Sequence, residues 1–249
     1  MLLATDLDGT FLAGSTFYQQ KLYSIIRERE DIHLVFVTGR GLDTVIPVLH
    51  GTEIPNPHYI ICDVGSTIVD GHTLQPIQPL QKLIEEKWAG SLFIHNKLKS
   101  VKGLLLQDVP QTRRCSYYFN EDTDFIQLHE IAESVNCDVI TSAGKYVDVL
   151  PRGINKGHSL KQLIKLLNIS PEHILVAGDT MNDLSLYHTG YKGVVVGNAE
   201  INLLDATKSM DHVYHADAAG CDGILESLEF FAEFRKFYPG STRLANPSR

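Results

Sequence analysis

Cysteine, basic residues and long apolar runs are all scarce in this sequence of 249 residues. Its four cysteines are scattered with no C-x-x-C pair, so we expect reduced thiols and neither a zinc site nor a disulfide framework. No stretch approaches the ~18 apolar residues of a membrane span, and residues 1–20 carry no basic leader. We therefore expect no signal peptide, no membrane association and a cytoplasmic location.

Positive charge is in short supply as well. Lysine and arginine number 22 against 30 aspartates and glutamates, which gives a formal net charge of −8. Because nucleic-acid binding depends on positive charge meeting phosphate, this balance argues against a nucleic-acid partner. A phosphate ester would bind such a chain only where a metal ion or a few local cations reverse the potential. We also expect the acidic surface to keep the chain monomeric.

The most informative stretch is residues 2–10, an apolar run that ends in two aspartates, a glycine and a threonine. Side chains alternate along a strand, so Asp6 and Asp8 are predicted to point the same way at its end. Two carboxylates on one side repel unless a hard cation such as Mg²⁺ lies between them. Gly9 would let the chain turn past that cation. The alternative is a surface turn, where aspartate is common.

Near-continuous apolar strands alternate with helical patterns at both ends of the chain, as is typical of a parallel sheet covered on both faces. The predicted elements are the opening strand, helix 17–30, strand 33–37, helix 42–49, strand 59–62, helix 156–167, strand 173–179, a short helix, strand 193–196, a helix near 199–206, strand 211–215 and helix 223–234. The predicted fold class is therefore α/β, with a Rossmann-like, doubly wound parallel sheet.

The middle of the chain has a different pattern. Residues 67–79 are rich in turn residues, with Asp70-Gly71 as a hairpin signal, and a helix around 83–88 follows. Strands are predicted at 115–120, 138–141 and 146–150, with a helix at 122–135. This pattern indicates an inserted α+β domain. We expect a core of residues 1–78 and 154–249, an inserted domain of residues 79–153 and a flexible tail at 239–249.

Four polar clusters lie where a predicted strand ends or a predicted helix begins. They are Asp6 with Asp8, Thr38-Gly39-Arg40, Lys156, and the run 178–183 with Asp179, Asn182 and Asp183. Ligands of doubly wound sheets bind beyond the carboxyl ends of the strands. Carboxylates, a hydroxyl and a lysine at one rim therefore predict a pocket for a metal ion and a phosphate group. Taken singly, each cluster has a simpler interpretation, such as a strand end, a solvated lysine or the acidic first turn of a helix.

Together, D-L-D-G-T, T-G-R, N-K-G and G-D-x-x-N-D resemble the motifs of the haloacid dehalogenase superfamily of phosphatases. The resemblance covers the whole core, and the inserted domain is similar to the C2-type cap of that superfamily. It implies that Asp6 is the nucleophile that takes the phosphoryl group. It also implies that Asp8 protonates the leaving group and then activates water.

The same resemblance implies the other ligands of the pocket. Thr38, Gly39 and Lys156 would hold the phosphate oxygens. The cofactor would be Mg²⁺, bound by Asp6, by the backbone carbonyl of Asp8 and by Asp179, with Asp183 in its shell.

Finer motifs, such as Val64-Gly65-Ser66 and the runs 142–151 and 193–199, resemble the sucrose-6-phosphate phosphatase branch. That branch acts on phosphorylated disaccharides and related sugar derivatives. The likeness implies that Lys145 and Asp148 hydrogen-bond sugar hydroxyls. It also implies substrate contacts from Arg40, Arg114 and Asn182, where Arg114 replaces a lysine that is common in the branch.

Two residues of the sugar-contacting turn depart from the branch. Ala143 stands where a serine is usual, and Tyr146 stands where an aspartate is common. The expected partner is a small-molecule sugar phosphate, with sucrose 6-phosphate as the first expectation. Mannosylfructose phosphate, glucosylglycerol phosphate and a hexose phosphate are the alternatives.

Two other classes of protein share part of the pattern. A receiver-like phospho-binding module also uses acidic residues and Mg²⁺ on a parallel sheet, but it is shorter, has no inserted domain and lacks the second aspartate. A metal-dependent nucleotide-sugar transferase carries its D-x-D deep in the chain and not at residue 6.

Overall fold

A computed structural model describes residues 1–51 and 53–238. Its strands are β1 (Leu2–Thr5), β2 (His33–Val37), β3 (Tyr59–Cys62), β4 (Thr67–Asp70), β5 (Leu105–Leu106), β6 (Cys115–Tyr118), β7 (Cys137–Ser142), β8 (Tyr146–Pro151), β9 (Ile174–Gly178), β10 (Lys192–Val195) and β11 (Val213–His215). Its helices are α1 (Thr16–Glu28), α2 (Leu42–Gly51), α3 (Leu80–Glu85), α4 (Ser91–Leu98), α5 (Phe125–Ser134), α6 (Lys156–Leu167), α7 (Leu184–Tyr187), α8 (Ile201–Thr207) and α9 (Gly220–Phe230). The tail predicted at 239–249 lies outside the described residues.

The larger sheet has seven strands in the order β11-β10-β9-β1-β2-β3-β4. All neighbouring strands are parallel except β4, which runs antiparallel to β3. Leu3 and Phe36 pack into an apolar cluster on one face, and Ala4 and Val35 pack into a cluster on the other. Burial on both faces explains why these strands have nearly continuous apolar sequences. The predicted doubly wound α/β fold is confirmed.

The smaller sheet has four antiparallel strands in the order β5-β6-β8-β7. Tyr117 and Val149 on one face pack with residues of α4 and α5 in a third apolar cluster. The inserted α+β unit expected between the two halves of the core is therefore present. Helix α3 packs Leu80 and Ile84 into the cluster below the larger sheet, and the boundaries at 79 and 153 stay a prediction.

Three elements of the middle segment, β4, α4 and β5, were not predicted. Residues 67–70 form β4, so the chain reverses between β3 and β4 at residues 63–66. Asp70-Gly71 does turn the chain, and the turn is closed by backbone hydrogen bonds such as that from the N–H of Asp70 to the carbonyl of Gln75 at 2.9 Å, but the returning residues form only an isolated bridge, between Val69 and Pro76, and no second strand. The single helix predicted around 83–88 is in fact two helices, α3 and α4, with residues 86–90 between them. The sequences of β4 and α4 are short apolar patterns flanked by turn-forming residues, and β5 is only two residues long.

The structure shows the state of the cysteines and the character of the helices. All four cysteines are free and buried. No helix within residues 1–51 and 53–238 has the length and apolar character needed to cross a bilayer.

His58 makes the stability of the fold depend on pH. The backbone N–H of Leu34 donates to its Nδ1 at 3.1 Å, which only an unprotonated Nδ1 accepts. Burial, and then the nearby His33 and His72, lower the pKa of His58 below its usual value of about 6.5. The folded state therefore binds protons less readily than the unfolded chain. Stability should be complete above about pH 6.5 and fall as the pH drops from there through the pKa of folded His58.

Chemical unfolding of wild type and His58→Asn between pH 8 and pH 5 tests this expectation. An asparagine oxygen accepts the same N–H but does not titrate, so the variant should lose less stability on acidification than wild type. His173→Asn replaces an exposed histidine and is the matched control. An equal loss in wild type and His58→Asn would contradict the assignment.

Candidate active site

The predicted polar clusters meet at one edge of the larger sheet. Asp6 follows β1, Thr38 follows β2 and Asp179 follows β9, and these three strands are neighbours. Lys156 begins α6 because the side chain of Asn155 accepts the N–H of His158 at 2.8 Å and caps the helix. The carboxyl ends of parallel strands thus bring together residues that are as much as 173 positions apart.

A buried lysine lies between two aspartates at the centre of this edge. Lys156 Nζ is 2.7 Å from Asp6 Oδ1 and 2.6 Å from Asp183 Oδ1, and the lysine has no exposed surface. The other oxygen of Asp183 accepts the backbone N–H groups of Asp179 and Thr180, both at 3.0 Å. Asp183 is therefore fixed from both sides, and its position fixes the lysine.

Burial and crowding of the carboxylates change their acidity. Burial raises the pKa of Asp6 well above its usual value, and Asp183 and Asp179 add to the rise while Lys156 opposes it. The pKa of Asp179 is raised to about 7, by burial first and then by Asp183. Burial lowers the pKa of Lys156, but attraction by Asp183 and Asp6 outweighs it and the lysine stays charged. One ammonium group thus faces three carboxylates.

Gly9 allows the acidic residues to approach one another. Its φ of +80° is in the left-handed region, and an added Cβ would lie 2.0 Å from Asp179 Oδ2. The next residue, Thr10, donates its hydroxyl to Asp179 Oδ1 at 3.0 Å. Any larger side chain at position 9 would displace Asp179, which explains why a glycine follows the two aspartates.

The carboxylates of Asp6, Asp179 and Asp183 fit a divalent cation. Each offers an oxygen, and the three oxygens lie within 4.8 Å of one another. Oxygen ligands suit hard divalent cations, and a cation there would offset both the burial and the mutual repulsion that raise the pKa values of Asp6 and Asp179. The side chain of Asp8 is not part of this set. Its backbone carbonyl was the predicted ligand, and that role stays a prediction.

Removal of the metal should lower stability. A ligand that binds only the folded state at about 100 times its Kd adds about 2.7 kcal/mol, so Mg²⁺ should raise the thermal midpoint and EDTA should reverse the rise. Asp179→Asn should abolish most of the rise, because it removes one charged ligand.

Thermal unfolding with Mg²⁺ or with EDTA measures this effect. Asp43→Asn is the matched control, because Asp43 lines the neighbouring cavity without belonging to the acidic set. Identical midpoints in Mg²⁺ and EDTA for wild type would contradict a metal site.

Asp8 differs from the prediction in one respect. Strand β1 ends at Thr5, so strand alternation does not extend to Asp8, which lies in a turn with an exposed side chain. Asp6 is buried, yet both aspartates line the same cavity. Arg40 donates to both oxygens of Asp8, each at 2.6 Å. The predicted catalytic acid thus forms a bidentate ion pair with a residue that was predicted to bind substrate.

The cavity beside Asp6 and Asp8 has a volume of about 300 Å³ and lies between the two sheets. Gly39, Arg40 and Asn182 line its core side, whereas Thr38 is buried and accepts the N–H of Arg40 on its Oγ1 at 3.1 Å. The residues of the inserted domain that line it are Gln107, Val109, Pro110, Arg114, Ser142, Ala143, Tyr146 and Asp148.

Of the inserted-domain residues predicted to contact sugar, Arg114 and Asp148 line the cavity and Lys145 does not. Arg114 and Asp148 are both buried at the cavity and form an ion pair, with Nη1 and Oδ1 2.5 Å apart. Arg114 also pairs with Asp63 of the core, with Nε 3.1 Å from Oδ1. Lys145 is exposed and does not line this cavity. Its Nζ lies 4.9 Å from the centre of the Tyr146 ring.

Two residues that sequence reasoning did not single out connect the core to the inserted domain. Asp63 pairs with Arg114, and Glu200 accepts the N–H of Ala143. Asp63 directly follows the buried strand 59–62, and this position could have marked it as a site residue. Glu200 carried only the signal of an acidic residue at a helix start, which is common without function.

Comparisons with known proteins agree with this geometry. The model of the sucrose-6F-phosphate phosphohydrolase family matches residues 1–232. The chain belongs to this family. Membership of the sucrose-6F-phosphate phosphohydrolase family confirms the predicted branch of the haloacid dehalogenase superfamily.

Two proteins with similar sequences differ from each other in name and length. Glucosylglycerol-phosphate synthase of Pseudomonas anguilliseptica is 47% identical over 232 residues, which cover 93% of this chain but 31% of that protein. The chain thus spans about a third of that relative's length. Mannosylfructose-phosphate phosphatase of Agrobacterium fabrum is 28% identical over 243 residues, which cover 91% of this chain and 95% of that protein.

A solved structure of the same kind is the sucrose-phosphatase from Synechocystis in complex with sucrose and phosphate. It is 26% identical, with a TM-score of 0.83, and the match covers 92% of this chain and 97% of that one.

Proposed function

We propose that this chain hydrolyses a glycoside phosphate with the help of Mg²⁺, through a phosphoryl group carried on Asp6. The observation that carries the proposal is the buried contact of Lys156 with Asp6 and Asp183 beside a cavity that the inserted domain helps to enclose. A receiver-like module needs no second domain over its acidic site, so the enclosed cavity favours the enzyme.

The reaction has two steps. An oxygen of Asp6 forms a bond to phosphorus while the bond between phosphorus and the sugar oxygen breaks, and Asp8 gives its proton to that leaving oxygen. Water then attacks phosphorus, Asp8 takes up a proton from the water, and the Asp6 carboxylate is restored as phosphate leaves. The second step consumes the water and returns both aspartates to their starting states.

Charge decides whether a carboxylate can attack a phosphate dianion. Lys156 touches Asp6 and brings a fixed positive charge to the place where phosphate oxygens would lie. A bound Mg²⁺ supplies further positive charge that lowers the repulsion between carboxylate and phosphate. Thr38 and Gly39, at the end of β2, are the proposed further phosphate contacts.

Arg40 is proposed to exchange partners during the reaction. Its bidentate contact occupies both carboxylate oxygens of Asp8, and water activation needs that group as a carboxylate. The first step needs the protonated form of Asp8 instead. A phosphate dianion entering the cavity offers Arg40 another anionic partner and would release Asp8 to take up a proton.

For the sugar, we propose glucosylglycerol phosphate. The relative with 47% identity is named for synthesis of that compound, and a phosphatase segment within a synthase would act on the synthase product. Tyr146 lines the cavity at the position where the sucrose branch commonly has an aspartate. An aromatic ring there takes up more room and offers fewer polar contacts, which suits a glyceryl group better than a second sugar ring. Sucrose 6-phosphate is the second candidate, favoured by the family match and by the Synechocystis structure.

A panel of phosphate-release assays tests the choice of substrate. Glucosylglycerol phosphate should give a higher kcat/KM than sucrose 6-phosphate, mannosylfructose phosphate or a hexose phosphate, by about tenfold or more. A higher kcat/KM for sucrose 6-phosphate would contradict the choice of sugar, and no release from any of these compounds would contradict the proposed function.

Exchange of Tyr146 tests the reason for the preference. Tyr146→Asp restores the residue that is common in the sucrose branch and should shift the ratio of kcat/KM values toward sucrose 6-phosphate by about tenfold. Tyr146→Phe keeps the ring and is the matched control, with the wild-type ranking expected. An unchanged ratio of kcat/KM values in Tyr146→Asp would show that this position does not contribute to the discrimination between the two substrates.

A further inference from the structure

Glu200 joins the inserted domain to the acidic site through one carboxylate. Its Oε1 accepts the backbone N–H of Ala143 at 2.6 Å, and its Oε2 accepts the backbone N–H of Met181 at 2.8 Å. Ala143 follows β7 of the smaller sheet, whereas Met181 lies just after β9 of the larger sheet. The two oxygens of one side chain therefore hold two different domains at a fixed separation.

On the core side, Glu200 is anchored to the loop that carries the acidic set. Its own backbone N–H donates to the carbonyl of Asp179 at 2.8 Å. Met181 begins the short helical turn that ends at Asp183. Two hydrogen bonds, with Asp179 and Met181, thus fix Glu200 relative to residues 179–183. The third, with Ala143, fixes the inserted domain relative to Glu200.

On the side of the inserted domain, the bond fixes a cavity wall. Ala143 and Gly144 have φ values of +51° and +60°, so the turn between β7 and β8 presents the N–H of Ala143 outward, to Glu200. Ser142, Ala143 and Tyr146 all line the cavity. A shift of this turn would move all three relative to Asp6. Because Glu200 uses the backbone, the bond does not need the serine that the sucrose branch has at position 143.

We propose that Glu200 is a positioning residue. It holds the 142–145 turn over the acidic site, so that the turn places the sugar of a bound substrate at a fixed position relative to the Asp6 carboxylate. This role rests on the proposed function, because it concerns the same cavity. The contact between Arg114 and Asp63 is a second link between the domains, and it is buried. Glu200 is only half-buried, so its bond to the turn is more accessible to solvent than the contact between Arg114 and Asp63.

The chemistry of the side chain gives a sharp variant. A carboxylate accepts from two N–H groups at once, whereas an amide has one accepting oxygen and a donating NH₂ group. In Glu200→Gln the NH₂ group must face the N–H of either Ala143 or Met181, so one of the two bonds is lost without a change in size. Asp179 and Asp183 keep their own hydrogen bonds to Thr10, Thr180 and Lys156.

The experiment compares two substrates in wild type and Glu200→Gln. For glucosylglycerol phosphate, KM should rise about tenfold, the size expected for one charge-assisted hydrogen bond. For p-nitrophenyl phosphate, which has no sugar to hold, kcat/KM should change by less than about threefold. Amide hydrogen exchange of residues 142–145 should be faster in the variant, and this readout does not depend on the substrate. Glu226→Gln is the matched control, since Glu226 also accepts a backbone N–H, that of Asp217 at 3.0 Å.

Two outcomes would overturn the role. Equal losses on both substrates would make Glu200 a support of the acidic loop only. Unchanged kinetics with unchanged hydrogen exchange at residues 142–145 would mean that the bond to Ala143 does not fix the position of the turn. Failure of wild type to hydrolyse glucosylglycerol phosphate would count against the proposed substrate, and the exchange measurement would still decide the role of Glu200.

Discussion

Asp6→Asn is expected to release no phosphate from glucosylglycerol phosphate, sucrose 6-phosphate or p-nitrophenyl phosphate. The amide has nearly the shape of the carboxylate but is too weak a nucleophile to take the phosphoryl group. Asp6 is also one of three carboxylates that fit the metal, so binding and chemistry are lost together. The rate should fall by at least about 10⁴-fold, a loss comparable with removal of a nucleophile in other enzymes.

The fold of Asp6→Asn should stay intact, which separates a catalytic role from a structural one. The substitution removes a buried carboxylate whose pKa is raised by burial and by repulsion from Asp183 and Asp179, and Lys156 keeps its contact with Asp183. The thermal midpoint in EDTA should therefore not fall. Asp43→Asn, in the same cavity, should keep turnover within about threefold. Phosphate release by purified Asp6→Asn at the wild-type rate would remove this mechanism.

Lys156→Met has the largest expected effect on stability. Lys156 has no exposed surface and faces Asp6 and Asp183, so its loss leaves buried carboxylates with no partner charge. Breaking a buried ion pair from one side costs about 3–5 kcal/mol. The variant should also lose turnover, because no fixed positive charge remains beside the phosphate.

Urea unfolding in EDTA measures the cost. The loss should shrink as the pH falls, because Asp6 and Asp179 have raised pKa values in the folded state and bind protons more readily there than in the unfolded chain, and Asp179 already has a pKa of about 7 with the lysine present. Lys161→Met, at an exposed position of α6, should change the free energy of unfolding by less than about 0.5 kcal/mol. Equal stability of Lys156→Met and wild type at pH 8 would contradict the balance of charges described here.

The larger sheet could be predicted because its strands are buried on both faces. Such strands have apolar runs that are plain in the sequence, as at 33–37 and 59–62, where the predicted bounds agree with the structure. The central site followed from the same fact, since strand ends in a parallel sheet meet at one edge. Asp6, Lys156, Asp179 and Asp183 are accordingly found together.

Arg40, Arg114, Asp148 and Asn182 were predicted as substrate contacts and do line the cavity, but the side-chain links between the two domains could not be predicted, because their partners are set by tertiary contacts. The contact of Glu200 with Ala143 spans 57 residues and uses a backbone N–H, which leaves no mark in the side-chain pattern. Lys145 and Asp148 were predicted to act as a pair, but Asp148 is buried against Arg114 and Ser116 while Lys145 is exposed. Strand β4 was missed because its four residues lie among turn-forming neighbours.

The central claim is that Asp6 carries the phosphoryl group, and Asp8→Asn offers the most direct measurement of it. p-Nitrophenolate is a good leaving group that needs no acid, whereas the following attack of water needs Asp8 as a base. We expect Asp8→Asn to release a burst of p-nitrophenolate equal to the enzyme concentration, and acid quenching with ³²P-labelled substrate to leave the label on the peptide that contains Asp6. A wild-type enzyme that turns over while Asp8→Asn shows neither burst nor label would contradict a covalent intermediate on Asp6.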